Sequence, residues 1–104
     1  MMVVGDYYKI LLDGRIIGGF IIHLKGYRYY ELVRIFIHSD HQNQGIGTRA
    51  FEFIWSEYPD VERWTLDTPA WNLRTRHFYK KMGFVEAGED GRGGILFERN
   101  ITPD

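Results

Sequence analysis

The sequence predicts an α/β (α+β) fold, a mixed and mostly antiparallel sheet with two packed helices in the order β-β-β-α-β-α-β-β. Three observations predict it. The first third of the chain holds three β-rich runs separated by turn formers. Two later stretches carry apolar residues at helical spacing between a start and a stop signal. A glycine-rich hairpin signal lies near the C-terminus. At 104 residues the chain has room for one domain, 1–104, and one core.

The elements follow in order. Tyr7 to Leu12 and Arg15 to Leu24 are strands, and Asp13-Gly14 between them is a two-residue hairpin signal. Gly18-Gly19 predicts a bulge or a close backbone approach. Lys25-Gly26 breaks the chain before a third strand, Tyr29 to Ile37. Strict alternation puts Glu31, Val33, Ile35 and Ile37 on one of its faces and Leu32, Arg34 and Phe36 on the other. His38 to Gln44 is polar and reads as a loop. In the helix Gly45 to Glu57, Ile46, Ala50, Phe53 and Ile54 form one apolar stripe and Phe51, Trp55 and Tyr58 a second. Pro59 ends it. Val61 to Asp67 is a short strand broken by Thr68-Pro69. Asn72 is the N-cap of a second helix that ends near Met82, where Gly83 stops it. Phe84 opens a strand, Ala87 to Gly94 is a hairpin loop, and Ile95 to Arg99 pairs back.

Composition excludes several functions. Apolar residues at 44% and charged residues at 26% argue against disorder. Seven Tyr, seven Phe and three Trp predict a core built largely of rings. A net charge of −1 supplies no field to gather nucleic acid or an anionic membrane. The absence of Cys removes disulfides, thiolate metal sites and a Cys nucleophile, and no two His stand at helical metal-site spacing. No metal is expected. Without a secretory signal or an apolar run of membrane length, a cytoplasmic protein with no membrane partner is the default.

The segment with chemistry in it is Gln42-Asn43-Gln44-Gly45-Ile46-Gly47-Thr48. Two glycines sit where a loop turns into a helix, so a ligand could reach the backbone and the unpaired N–H groups of the first turn. Those donors and the helix dipole suit a pyrophosphate. A glycine-eased loop without a ligand fits the same residues equally well. A Walker loop is absent. Gly45-Ile46-Gly47-Thr48-Arg49-Ala50 matches a dinucleotide fingerprint, with Asp67 downstream, but a long polar loop stands where that fingerprint needs a tight turn.

A third reading has support from a second segment. Gln42-x-x-Gly45-x-Gly47 after a strand resembles the acyl-CoA-binding motif of the GNAT superfamily of acyl-CoA N-acyltransferases. Asn72, Tyr79 and Gly83-Phe84 resemble the next block of that superfamily. The resemblance runs from Tyr7 to Arg99. It implies a GNAT-like sheet with a V-shaped split between Tyr29–Ile37 and Trp64–Asp67, and acetyl-CoA as co-substrate. It further implies that the backbone of Ile35 and Ile37 binds the pantetheine arm, while Gln42, Asn43, Gln44, Gly45, Ile46, Gly47 and Thr48 hold the pyrophosphate. Asn72 is a helix cap, a cofactor contact, or both.

Tyr79 matches the tyrosine that protonates the departing thiolate in many relatives; a packed helix residue is the plain alternative. Glu31 matches in position the carboxylate used as a base toward the amine, with His38 and His23 as substitutes. Strand parity beside Val33 and Ile35 would raise its pKa by burial; a bulge would change that parity. Arg74, Arg76, His77, Lys80 and Lys81 form a basic cluster, read either as attracting the phosphorylated cofactor or as a solvated helix face. Relatives begin with a strand and two helices that this chain lacks, so an N-terminally shortened domain is expected: a naturally minimal form, a truncated product, or a homodimer whose partner covers the gap. The exposed apolar surface left behind favours the homodimer. The function implied is N-acetyl transfer to a primary amine on a small molecule or protein. A non-catalytic acyl-CoA-binding or interaction module is the alternative.

Overall fold

A computed structural model of the chain describes residues 5–38 and 45–101. Its elements are β1 (Gly5–Leu12), β2 (Arg15–Gly26), β3 (Tyr29–Ile37), α1 (Ile46–Glu57), β4 (Arg63–Pro69), α2 (Leu73–Lys81), β5 (Val85–Glu89) and β6 (Gly94–Asn100). This is the predicted order. Asp13 (φ 51°) and Gly14 (φ 80°) both take the left-handed turn geometry that a two-residue hairpin requires. Some ends differ from the prediction. Lys25-Gly26 stays in β2, because a register shift absorbs the break. β4 runs on through Thr68 to Pro69, which pairs with Gly94 at the strand's last position, where proline is tolerated. The last hairpin loop is shorter than predicted, since β5 reaches Glu89 and bulges between Glu86 and Gly88.

The strands form one sheet in the order β1-β2-β3-β4-β6-β5. β3 and β4 run parallel and every other neighbour pair is antiparallel. Both helices lie on one face. Phe53 of α1 meets Tyr8 at 5.4 Å, and Trp55 meets Trp64 at 5.6 Å. Tyr79 of α2 meets Phe97 at 5.6 Å. Phe51 stands between the helices against Phe78, Tyr79 and Phe84. The core therefore is largely aromatic, as composition predicts, with Ile22, Ile54 and Phe97 sealed from solvent.

The predicted parity of β3 is wrong along part of the strand. Ile21 pairs with Arg34 but Ile22 pairs with Leu32, so Val33 is an extra residue in a bulge. Tyr30 and Leu32 before it, and Ile35 after it, turn toward the helices. Glu31 therefore shares the opposite face with Arg34 and Phe36, and Val33 is 46% exposed. Both parts of the Gly18-Gly19 expectation meet here. Ile17, next to Gly18, is an extra residue in the register with β1. A Cβ on Gly18 would lie 2.3 Å from the carbonyl oxygen of Phe36, and one on Gly19 2.8 Å from that of Tyr8. The three strands close up only because neither residue has a side chain.

At one end β3 and β4 are clamped. The amides of Glu62 and Arg63 both donate to the carbonyl of Arg28, at 2.8 and 3.1 Å. Arg28 pairs with Glu62 at 3.3 Å, Arg63 stacks 4.4 Å over the Tyr29 ring, and the Tyr29 hydroxyl meets that of Thr65 at 3.1 Å. Ladder pairing then covers Tyr29, Tyr30 and Glu31 alone. Beyond Glu31 the strands part.

Gly18→Ala is expected to cost about 1–3 kcal/mol, because the obstructing atom is backbone and cannot rotate away. Urea unfolding measures it, and an unchanged midpoint would show that β2 and β3 do not approach so closely.

Candidate functional site

Beside the end of β3, past the point where it parts from β4, lies a cleft of about 620 Å3. Its walls are the end of β3 (Ile35 to Ile37), the start of α1 (Gly45 to Thr48) and the α2 residues Asn72, Thr75 and Tyr79. The sequence-predicted residues thus come together from three elements. Gln42, Asn43 and Gln44 lie outside the described residues.

The two glycines have different jobs. Gly45 caps α1 with φ 75°, left-handed and without a side-chain cap bond; a Cβ there would touch nothing within 4 Å. Gly47 was expected to keep the loop open for a ligand. It does line the cleft, and a Cβ on it would also fall 3.0 Å from the Phe78 ring and 3.6 Å from Ile37, so its bareness lets α1 pack on α2. The amide of Arg49 makes the first helical bond, to the carbonyl of Gly45 at 3.1 Å. Those of Ile46, Gly47 and Thr48 find no acceptor among the described residues. No acidic side chain occupies this first turn, so its positive end is left uncompensated at the cleft wall.

Across the cleft, Asn72 caps α2 by accepting from the amide of Thr75 at 3.2 Å while also lining the cavity. Tyr79 is both packed and cleft-facing. It is 6% exposed, with rings of Phe51, Phe78, Phe84 and Phe97 around it. Burial first, then the charge of Asp67, pushes its phenol up to about 12. The hydroxyl therefore stays protonated through the neutral range and can act as a donor.

Glu31 does not sit in the apolar environment expected of it, because the Val33 bulge leaves it on the helix-free face. There it is partly exposed and 3.7 Å from Lys25. Thr65 pairs with Glu31 in the ladder, and Asp67 follows two residues on, on the same face and about 7 Å along the strand. Asp67 is the residue that sequence reasoning passed over except as part of a dinucleotide fingerprint. Loss of hydration and a carboxyl–carboxyl hydrogen bond to Asp90 hold it above the usual carboxylate range, with Glu31 adding to the effect. Asp90 is held below that range by the amides of Arg92 and Gly94, at 2.7 and 2.9 Å. A proton shared by the pair sits more readily on Asp67 than on Asp90.

The basic cluster of α2 divides. Arg76 reaches Glu86 at 2.7 Å and the carbonyl of Ala70 at 2.9 Å, tying α2 to β5 and to the turn before it. Lys80 joins it on Glu86 at 3.3 Å. Both are structural. Arg74 and Lys81 line the cleft, and His77 is exposed.

Residues 4–86 match the family described as acetyltransferase (GNAT) domain. YrkN of Bacillus subtilis is 33% identical over 101 residues, spanning 93% of this chain and 55% of YrkN. This chain thus covers about half the length of that relative. The PaiA N-acetyltransferase of Thermoplasma acidophilum, solved with coenzyme A, superposes at a TM-score of 0.87 with 18% identity, over 94% of this chain and 62% of that one. A GNAT acetyltransferase of Elizabethkingia anophelis, solved with acetyl-CoA, gives 0.84 and 18%, over 93% and 76%. At such identities the likeness speaks to the fold.

Asp67→Asn is expected to raise the melting temperature at about pH 8, because an amide can still donate to Asp90 without a second charge. A raised carboxyl contributes stability below its ordinary range and loses it as pH climbs through the folded value. The gap between variant and wild type should therefore close toward about pH 3. A gap independent of pH would remove the shared proton from the account.

Proposed function

Because the chain belongs to the acetyltransferase (GNAT) family, we propose that it moves the acetyl group of acetyl-CoA to a primary amine by direct attack in a ternary complex. The observation that carries this reading is the uncompensated first turn of α1, facing a cleft where a parallel pair of strands separates. Backbone amides from Gln42 to Gly47, with Thr48, hold the pyrophosphate. The β3 edge at Ile35 to Ile37 hydrogen-bonds the pantetheine arm, with Asn72 beside it. Arg74 and Lys81 favour the anionic end of the cofactor.

The attacking amine must lose a proton. An alkylamine is neutral in about one molecule in a few thousand at pH 7, a cost of about 4.6 kcal/mol. We assign its proton to the carboxylates of the open face, Glu31 and Asp67. The freed nitrogen forms the new C–N bond at the acyl carbon as the C–S bond breaks. Tyr79 donates its hydroxyl proton to the leaving sulfur and recovers one from solvent. No Cys is present to carry the acyl group covalently.

No helix among the described residues is long and apolar enough to cross a membrane, and we place the enzyme in the cytoplasm. Tyr7 and Phe36, 59% and 41% exposed on the helix-free face, favour a homodimer; sedimentation should show two copies, and a Tyr7→Lys variant one.

Acetyl-CoA at a hundredfold excess over its dissociation constant should stabilise the protein by about 2.7 kcal/mol, with no response to NAD. Thr48→Asp should keep or raise the melting point, since a carboxylate suits a helix start, yet lose the acetyl-CoA response. Tyr79→Phe should bind normally and release thiol roughly a hundredfold more slowly. Unchanged turnover would remove the acid role. Binding without turnover across a broad amine panel would identify a non-catalytic acyl-CoA module.

A further inference from the structure

We propose that a second cavity, between β1 and α1, binds an alkyl carboxylate: an extended apolar chain that ends in one negative charge. The site is separate from the cofactor cleft and stands whether or not acyl transfer takes place there. It holds about 340 Å3, within the range of small-molecule sites. Ile46 lines both cavities, so the first turn of α1 stands between them.

Its shape follows from the elements that build it. One wall is the edge strand β1, from Tyr8 to Leu12 without interruption, a length of about 13 Å. The facing wall is α1, through Ala50 and Phe53. Three rings that line the cavity pack on one another. Tyr8 stacks on Phe20 at 4.9 Å, and Phe53 meets them at 5.4 and 6.2 Å. The Tyr8 hydroxyl is taken up by Tyr58 at 2.8 Å, so the cavity is offered the ring and not the polar tip. Ile17, Phe20 and Ala50 are buried, whereas Leu11, Leu12 and Phe53 stay exposed. Apolar side chains left open along an elongated apolar trough favour an apolar chain laid beside them.

Charge sets the other end of the ligand. The cavity wall includes Lys9 and Arg49 and no Asp or Glu. Neither cation has an ion pair among the described residues. Arg49 precedes Phe53 by one turn of α1, which puts a cationic residue beside the ring cluster. A guanidinium takes a carboxylate through two parallel hydrogen bonds. A chain lying along β1 with its head at Arg49 meets both demands. Inorganic phosphate would leave the trough unfilled, and an alcohol would leave the cations unanswered.

The test titrates the protein calorimetrically with octanoate, butyrate and octanol, with and without saturating coenzyme A. Octanoate should bind saturably and equally well in both conditions. Butyrate, four methylenes shorter, should bind roughly a hundredfold more weakly, and octanol roughly threefold or more below octanoate. Arg49→Gln should bring octanoate down to the level of octanol and leave octanol binding and the melting temperature unchanged. Leu12→Asp sets a carboxylate at the exposed rim and should abolish octanoate binding while the melting temperature holds. No saturable octanoate binding, octanol bound as tightly as octanoate, or octanoate bound undiminished by Arg49→Gln would each overturn the inference. Displacement of octanoate by coenzyme A would overturn it as well, because the chain would then lie in the cofactor cleft.

Discussion

Two strands held together at one end and released at the other govern this molecule. The carbonyl of Arg28 receives the amides of Glu62 and Arg63, and the Arg28–Glu62 and Tyr29–Thr65 contacts reinforce that junction. Past Glu31 the ladder stops. An interrupted parallel pair is a liability in most sheets, because it exposes backbone that pairing would satisfy. Here the interruption is the cleft.

The rest of the fold can be read as support for that gap. α1 and α2 pack on the same face, and Gly47 lets Phe78 come close enough to set the angle between them. The aromatic cluster around Phe51 locks both helices to the sheet, so the α1 terminus and Tyr79 face each other across a rigid opening. On the other side, Gly18 and Gly19 allow β1, β2 and β3 to close up at the end of β3 that borders the cleft. The outcome is a cleft whose wall holds a helix terminus and the cationic side chains of Arg74 and Lys81, while the carboxylates of Glu31 and Asp67 stand on the helix-free face of the sheet.

Much of this was legible in the residues. Asp13-Gly14 fixed a hairpin because few dipeptides accept two left-handed positions, and Asn72 with Gly83 marked both ends of α2. Tyr79 was found through the spacing of a family block. What escaped were features decided by neighbours. Alternation inside β3 could not reveal that Val33 is extra, since a bulge shows only in the register with β2. The second task of Gly47, making room for Phe78, was hidden because Phe78 lies in another helix. Asp67 and Asp90 are distant in sequence and meet only through the antiparallel pairing of β4 with β6. That carboxyl pair could have been sought only after the strand order was known.

Hydrogen exchange with and without coenzyme A tests the central claim most directly. If the parted strands and the bare helix terminus form the cofactor seat, amides from Ile35 to Ile37 and from Gly45 to Thr48 should exchange more slowly when coenzyme A is bound. Those of the β1–β2 hairpin should not change. Saturable binding with protection confined to other segments, and none at these two, would contradict the account.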